Sequence, residues 1–396
     1  MKKFLTAFLF VFVMGCSPGT GISPTESSGI QPTANLAPRQ TDIPPGRTPT
    51  PKPTFTPTVA PTAIGGEAGR IAFTSERDGY QEIYVMNADG SGLVKLANDI
   101  SPKYYPAWSP DGKKIAFASN QDGVGSLYVM NADGSNLTEL VDTKAFSVYD
   151  QFRPELRFDT DCCSPDWSPD GTKIVFMVSH GIGCCYGSAY IHVLNADGSS
   201  LASAALAGWE TFDWSPDSQR IAIGSDCGGY GGICVMNADG ANLVNITHKQ
   251  GAGGGDTWPV WSPDGKKIAF TSGRNGDTEV FIMNADGSDQ INLTKNGSSW
   301  DAHPVWSPNG NKIAFSSYRD GNYEIYVMNI DGSNPINVTN HPAGDLNPVW
   351  SPDGTKVAFI SDRDGNQEIY VVNADGSGLI RLTNNDANDY APVWSP

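Results

Sequence analysis

From residue 70 onward, apolar residues gather in short alternating runs rich in β-branched and aromatic side chains, each bounded by Gly, Pro, Asn or Asp. No segment shows a 3.6-residue apolar period, so the runs predict strands and their boundaries predict tight turns. In the copy that begins at Trp306, Ser307-Pro308-Asn309-Gly310 has the residue order of a type I turn. The alternating strand Lys312-Ile313-Ala314-Phe315-Ser316 follows, then a turn at Arg319-Asp320-Gly321. A third strand, Glu324 to Asn329, leads through Asn329-Ile330-Asp331-Gly332 into the short outer strand Ile336-Asn337-Val338-Thr339. This meander recurs. Trp-Ser-Pro stands at Trp108, Trp167, Trp214, Trp261, Trp306, Trp350 and Trp394, and Asn-x-Asp-Gly at Asn87, Asn131, Asn195, Asn237, Asn284, Asn329 and Asn373. The Trp-to-Trp intervals of 59, 47, 47, 45, 44 and 44 residues suit one four-stranded antiparallel unit per copy and exceed a leucine-rich or ankyrin unit.

The repeated string Pro-Val-Trp-Ser-Pro-Asp-Gly-x-Lys-Ile-Ala-Phe, ending in Ile-Tyr-Val-Met-Asn, resembles the repeat of TolB-type β-propellers, relatives of the WD-repeat propellers. The resemblance spans residues 70 to 396; the α/β domain that precedes the propeller in TolB has no counterpart, because residues 17 to 66 are rich in Pro and Thr. It implies an all-β fold, a propeller of four-stranded antiparallel blades over residues 67–396, with the strand ending at Trp-Ser-Pro innermost. On that reading Arg70 to Thr74 is a second strand and Ala391 to Trp394 a first strand, so the two ends complete one blade as a clasp and leave no open sheet edge. Seven blades result; six blades and an irregular copy is the alternative.

At the N-terminus, Lys2 and Lys3 precede an apolar run from Phe4 to Met14, too short to span a bilayer and right for an export signal. Val13-Met14-Gly15-Cys16 resembles the bacterial lipobox, which implies a signal peptide over residues 1–15 and a lipid on Cys16. An ordinary signal peptide with an incidental Cys is the rival. Residues 17 to 66 hold eleven Pro and few apolar side chains, a composition that forms a semi-rigid tether between the lipidated Cys16 and the propeller.

Charge agrees with an extracytoplasmic binding protein. With Glu26, Asp42 and the bases Lys2, Lys3, Arg39, Arg47 and Lys52 set aside from 43 acids and 26 bases, residues 67–396 keep 41 and 21, a net of −20. Nucleic acid and anionic lipid are therefore poor partners, and the only membrane contact expected is through the lipid. The six remaining cysteines, Cys162, Cys163, Cys184, Cys185, Cys227 and Cys234, all fall between residues 162 and 234. By alignment of the copies they lie in loops on one face, and an even count in an exported protein reads as disulfides: Cys227 with Cys234 across its own hairpin, and Cys162 or Cys163 with Cys184 or Cys185. A thiolate metal site is the alternative, although adjacent Cys pairs lack zinc-site spacing.

No catalytic motif emerges. A G-x-S-x-G elbow is absent, and the His residues at 180, 192, 248, 303 and 341 show no ligand-pair spacing. Secreted propellers of the oligogalacturonate-lyase kind hold a His-bound metal at the channel mouth, where His303 would sit; a single His carries little weight. Asp256, Asp301, Asp345 and Asp389 stand five residues before an inner-strand Trp, and Arg77, Arg274, Arg319 and Arg363 stand in the second-to-third-strand hairpins. The structural expectation is a lattice of ion pairs between blades. An acidic rim holding Ca²⁺ or a basic partner is the functional alternative.

Positions that vary between copies point to specificity. Three residues before each Trp stand Tyr105, Ser164, Thr211, Trp258, His303, Asn347 and Ala391, an aromatic-bearing lining for the channel mouth. The same face is expected to carry the insertion Thr138 to Cys163, with Phe146, Tyr149 and Phe152, together with Tyr186, Tyr230 and Trp300. Because TolB-type propellers dock proteins at the channel mouth, the resemblance implies an envelope or extracellular protein partner. A glycan-binding or polysaccharide-cleaving propeller and a purely structural envelope protein are the other readings.

Overall fold

The computed structural model describes residues 69–97, 101–119, 126–142, 164–181, 187–199, 201–207, 211–225, 231–247, 255–295, 297 and 299–396, and every regular element among them is a strand. The strands form seven four-stranded antiparallel sheets, one per repeat. Blade 1 pairs Asp389–Trp394 with Arg70–Ser75, followed by Glu82–Asn87 and Val94–Lys95. This clasp sets Ile71 opposite Trp394 and Ser75 opposite Asp389. Blades 2 to 7 open on the inner strands Lys103–Trp108, Asp166–Trp167, Thr211–Trp214, Asp256–Trp261, Asp301–Trp306 and Asp345–Trp350.

Each sheet exposes apolar side chains on both faces, so stability requires neighbours on both sides. The core is accordingly seven clusters, each shared by two adjacent blades. In one, Ala269, Val280, Ile282 and Leu293 of blade 5 meet Trp306, Ile313, Phe315, Tyr326 and Met328 of blade 6. Six of the repeat tryptophans are buried, and the indoles also bond across the seams. Trp Nε1 donates to the carbonyl of the residue preceding the Trp of the previous blade: Trp108 to Val393 at 3.3 Å, Trp167 to Ala107 at 3.2 Å, Trp214 to Asp166 at 3.4 Å, Trp306 to Val260 at 3.0 Å, Trp350 to Val305 at 3.1 Å and Trp394 to Val349 at 3.3 Å. Only the indole N–H of Trp261 lacks this bond, at the seam where its acceptor would belong to Asp213.

The turns behave as their residues dictate. Gly310 N–H closes Ser-Pro-Asn-Gly on the Ser307 carbonyl at 2.8 Å with φ +70°. In Asn-Ala-Asp-Gly, glycine is required twice over: Gly287 has φ +87°, and a Cβ there would lie 2.1 Å from the Ile246 carbonyl oxygen of the previous blade. These turns lock the outer rim of each blade against its neighbour.

Candidate functional site

The face built from the starts of the inner strands and the second-to-third-strand hairpins carries the features that break the repeat. The inner strands contact one another around the ring and so surround the axis. In five blades the strand is bulged three residues before its Trp, where Tyr105, Trp258, His303, Asn347 and Ala391 all adopt left-handed φ between 52° and 57°. The pairing shows why: Thr257 faces Thr271 and Val260 faces Ala269, so Trp258 and Pro259 share one opposing residue. Proline has no N–H for the ladder and tolerates a bulge. Blade 4 has Phe212 in place of that proline, and its strand pairs without interruption from Thr211 to Trp214. Each left-handed non-glycine residue costs about 1–2 kcal/mol, and such strain persists where surrounding structure enforces it.

Three of the sequence-predicted residues come together on this bulged framework. Trp258 and His303 meet edge to face at 4.3 Å between ring centroids, and Trp300 meets His303 at 5.3 Å. Two tyrosines that the sequence reading missed extend the cluster: Tyr323 lies 5.2 Å from Trp300, and Tyr318 lies 4.9 Å from Tyr323. Both flank the hairpin of blade 6, which the Arg-x-Gly motif had marked only for its arginine. Trp258 is 36 % and Tyr318 44 % exposed, so the cluster presents aromatic faces to solvent at both ends. Burial among these rings holds the His303 imidazole down to about 4, which keeps it neutral at pH 7, and its Nδ1 has no hydrogen-bond partner. Tyr105 packs against Tyr104 at 6.4 Å, and Asn347 is exposed at the mouth.

One layer deeper, at the residue before each Trp, five copies carry Ala or Val, whereas blades 3 and 4 carry Asp166 and Asp213. Burial raises the Asp166 carboxyl to about 7. Burial raises Asp213 to about 8, and the charge of Asp166 adds to it; Asp213 Oδ2 accepts the Trp261 backbone N–H at 2.6 Å. The break in the repeat was the only sequence signal for this pair.

The acidic residues expected to tie blade to blade do something else. Arg77 pairs with Asp389 at 2.9 Å, Arg274 with Asp256 at 2.7 Å, Arg319 with Asp301 at 3.2 Å and Arg363 with Asp345 at 2.9 Å, each within a single blade. The four carboxylates are buried, so they face arginine and serine rather than forming an open rim. Each arginine also lies over the ring of its third strand. Blade 2 has Lys103 at the acid position, and this lysine does reach across a seam, to Glu82 at 3.2 Å.

Cys234 is disulfide-bonded and wholly buried; it sits within the third strand of blade 4, Gly232–Asn237, rather than in the hairpin the alignment suggested. Likewise the first five residues of the expected insertion, Thr138–Asp142, form the outer strand of blade 2. Cys16, Cys162, Cys163, Cys184, Cys185, Cys227, Phe146, Tyr149, Phe152, Tyr186 and Tyr230 lie outside the described residues. Among the described residues, no three His, Cys, Asp or Glu side chains converge as metal ligands.

Among solved structures, TolB from Acinetobacter baumannii is 20 % identical, with 85 % of this chain and 69 % of that chain covered and a TM-score of 0.54. An oligogalacturonate lyase in complex with manganese is 15 % identical over 77 % of this chain and 85 % of its own, with a TM-score of 0.61. The β-propeller domain of the Trilobed protease from Pyrococcus furiosus is 11 % identical over 81 % and 93 %, with a TM-score of 0.57. At these identities the likeness concerns the fold. A search of curated proteins finds no match. The model of the TolB β-propeller domain matches residues 53–155, 149–304 and 300–396, so the chain belongs to the TolB β-propeller family.

Proposed function

We propose that this protein is an extracytoplasmic, lipid-anchored binding module whose propeller captures a protein partner on the bulged, aromatic face. The observation that carries the reading is the connected cluster Trp258, His303, Trp300, Tyr323 and Tyr318, which leaves two large aromatic side chains exposed on a strained scaffold. Interface anchors are enriched in Trp and Tyr. Membership of the TolB β-propeller family supports a role in envelope protein interactions. Lys2, Lys3, the apolar run to Met14 and Cys16 support export and lipidation, and the Pro-rich tether would hold the propeller away from the membrane surface. The disulfide at Cys234 fits an oxidising compartment.

Aromatic faces also stack on sugars, which keeps a glycan ligand as the second reading. Capture of envelope proteins by the wild-type propeller beside a glycan array separates the two. Binding of a protein that is lost in Trp258→Ala and unaffected by free glycans supports the proposal; a positive array with no protein captured refutes it. For the anchor, Cys16→Ser should move the protein from membrane to soluble fractions, and unchanged membrane association would refute lipidation there.

A further inference from the structure

The seam between blades 4 and 5 is tied differently from the other six. Its tryptophan, Trp261, makes no indole bond to the previous blade, and two side chains of the blade 4 inner strand hold the backbone of the blade 5 inner strand instead. Thr211 Oγ1 accepts the Trp258 N–H at 2.8 Å, and Asp213 Oδ2 accepts the Trp261 N–H at 2.6 Å. These two bonds bracket the bulge that carries Trp258. Two departures from the repeat make the bracket possible. Phe212 replaces the proline, so Thr211 stays in the ladder opposite Gly224 instead of turning left-handed at a bulge. Gly224 stands where the second strands of the other blades carry Thr74, Ala118, Met177, Thr271, Ser316 and Ile360. A Cβ there would lie 2.9 Å from Thr211 Oγ1, 2.9 Å from Thr257 Cα and 3.2 Å from the Trp258 nitrogen. Two of those three are backbone atoms that cannot swing aside, so only glycine lets the Trp258 bulge come within reach of Thr211.

At the next seam the His303 N–H donates to Thr271 Oγ1 at 3.3 Å, and Thr271 is the counterpart of Gly224. The hydroxyls at that position in blades 1 and 6, Thr74 and Ser316, precede the bulges of Tyr105 and Asn347 around the ring and are buried with no hydrogen-bond partner. Ile360, before the bulge of Ala391, has no hydroxyl to offer. The threonine pins therefore fall on Trp258 and His303, the two bulge residues whose rings meet at 4.3 Å. A left-handed bulge persists only where its surroundings enforce it, and a hydroxyl fixed in the neighbouring blade does so. We infer that Thr211, admitted by Gly224, is a positioning residue that holds Trp258 against His303, with Thr271 fixing His303 from the other side. The functional meaning rests on the reading of Trp258 as a partner anchor: an aromatic side chain already set by the adjacent blade loses less freedom when a partner covers it.

The His303 imidazole reports on the position of Trp258 without any partner. Thr211→Val removes the acceptor and keeps the shape of the side chain, Thr211→Ser returns the hydroxyl, and Gly224→Ala pushes the bulge away. Full-length protein with labelled histidine is followed by NMR from about pH 8 to about pH 5.5, the His303 signal being the one absent from His303→Gln. In the wild type, burial holds His303 down to about 4, so its signal should stay still over that range. In Thr211→Val, release of Trp258 admits water to the ring, and His303 should titrate with a midpoint at least about one unit higher, toward the ordinary value of about 6.5. Gly224→Ala should behave likewise, and Thr211→Ser should restore the still signal. A His303 signal that stays still in both Thr211→Val and Gly224→Ala would overturn the inference, and a lowered urea midpoint beside it would assign the two residues to stability alone. Failure of the binding reading looks different: a moved His303 in Thr211→Val with undiminished capture of envelope protein would uphold the positioning and refute the anchor.

Discussion

Replacing Gly287 by Ala tests how the blades are locked together, and Gly276 supplies a control within the same blade. Both glycines adopt left-handed backbone, with φ of +87° and +99°. A Cβ on Gly276 would meet nothing within 4 Å, so Gly276→Ala isolates the cost of forcing an alanine into that conformation, about 1–2 kcal/mol. A Cβ on Gly287 would lie 2.1 Å from the Ile246 carbonyl oxygen and 3.0 Å from its carbonyl carbon, and a backbone carbonyl cannot swing aside. The turn must retreat by more than 1 Å, which opens the seam between blades 4 and 5. Overpacking of this kind adds about 1–3 kcal/mol, for a total of about 2–5 kcal/mol. Urea denaturation of the wild type and both variants measures the difference directly. Equal losses in the two variants would refute the claim that the Asn-x-Asp-Gly turns act as inter-blade locks.

Two further outcomes follow from the inner ring and the clasp. Asp213 titrates at about 8 in the folded protein against about 3.9 unfolded, so ionising it opposes folding and stability falls as pH rises through that window. Asp213→Asn keeps an acceptor for the Trp261 N–H without the charge; it should match the wild type near pH 4 and exceed it at pH 8, and parallel stability profiles would refute this. Deleting residues 390–396 removes the strand paired to Arg70–Ser75 and uncovers its edge, so it should lower the unfolding midpoint and promote aggregation; an unchanged midpoint would refute the clasp.

The architecture was legible because each copy repeats its turn chemistry: Trp-Ser-Pro and Asn-x-Asp-Gly punctuate the strands, and Trp marks each seam. The ion pairs were misassigned for a definite reason. Asp and Arg recur with the same period, so the repeat cannot distinguish Arg274 paired with Asp256 of its own blade from Arg274 paired with Asp301 of the next. Geometry decides, since the hairpin bends back over its own inner strand. The left-handed bulge at Trp258 and His303 was equally hidden, because proline after those residues signals an interrupted ladder without fixing φ. Tyr318 and Tyr323 were missed because they lie in a hairpin whose neighbours differ at those positions, and only the pairing of Asp301 with Ser317 within blade 6 brings them beside Trp300.

The location of the binding face is the central claim, and photo-crosslinking measures it most directly. A photoreactive side chain placed at Trp258, on the bulged aromatic face, is compared with one at Asp286, in the Asn-Ala-Asp-Gly turn at the other end of the same blade. The captured partner should form an adduct from position 258 and none from position 286, and Trp258→Ala should weaken its binding at least about tenfold, or about 1.4 kcal/mol. An adduct from 286 alone, with full affinity in Trp258→Ala, would contradict the account.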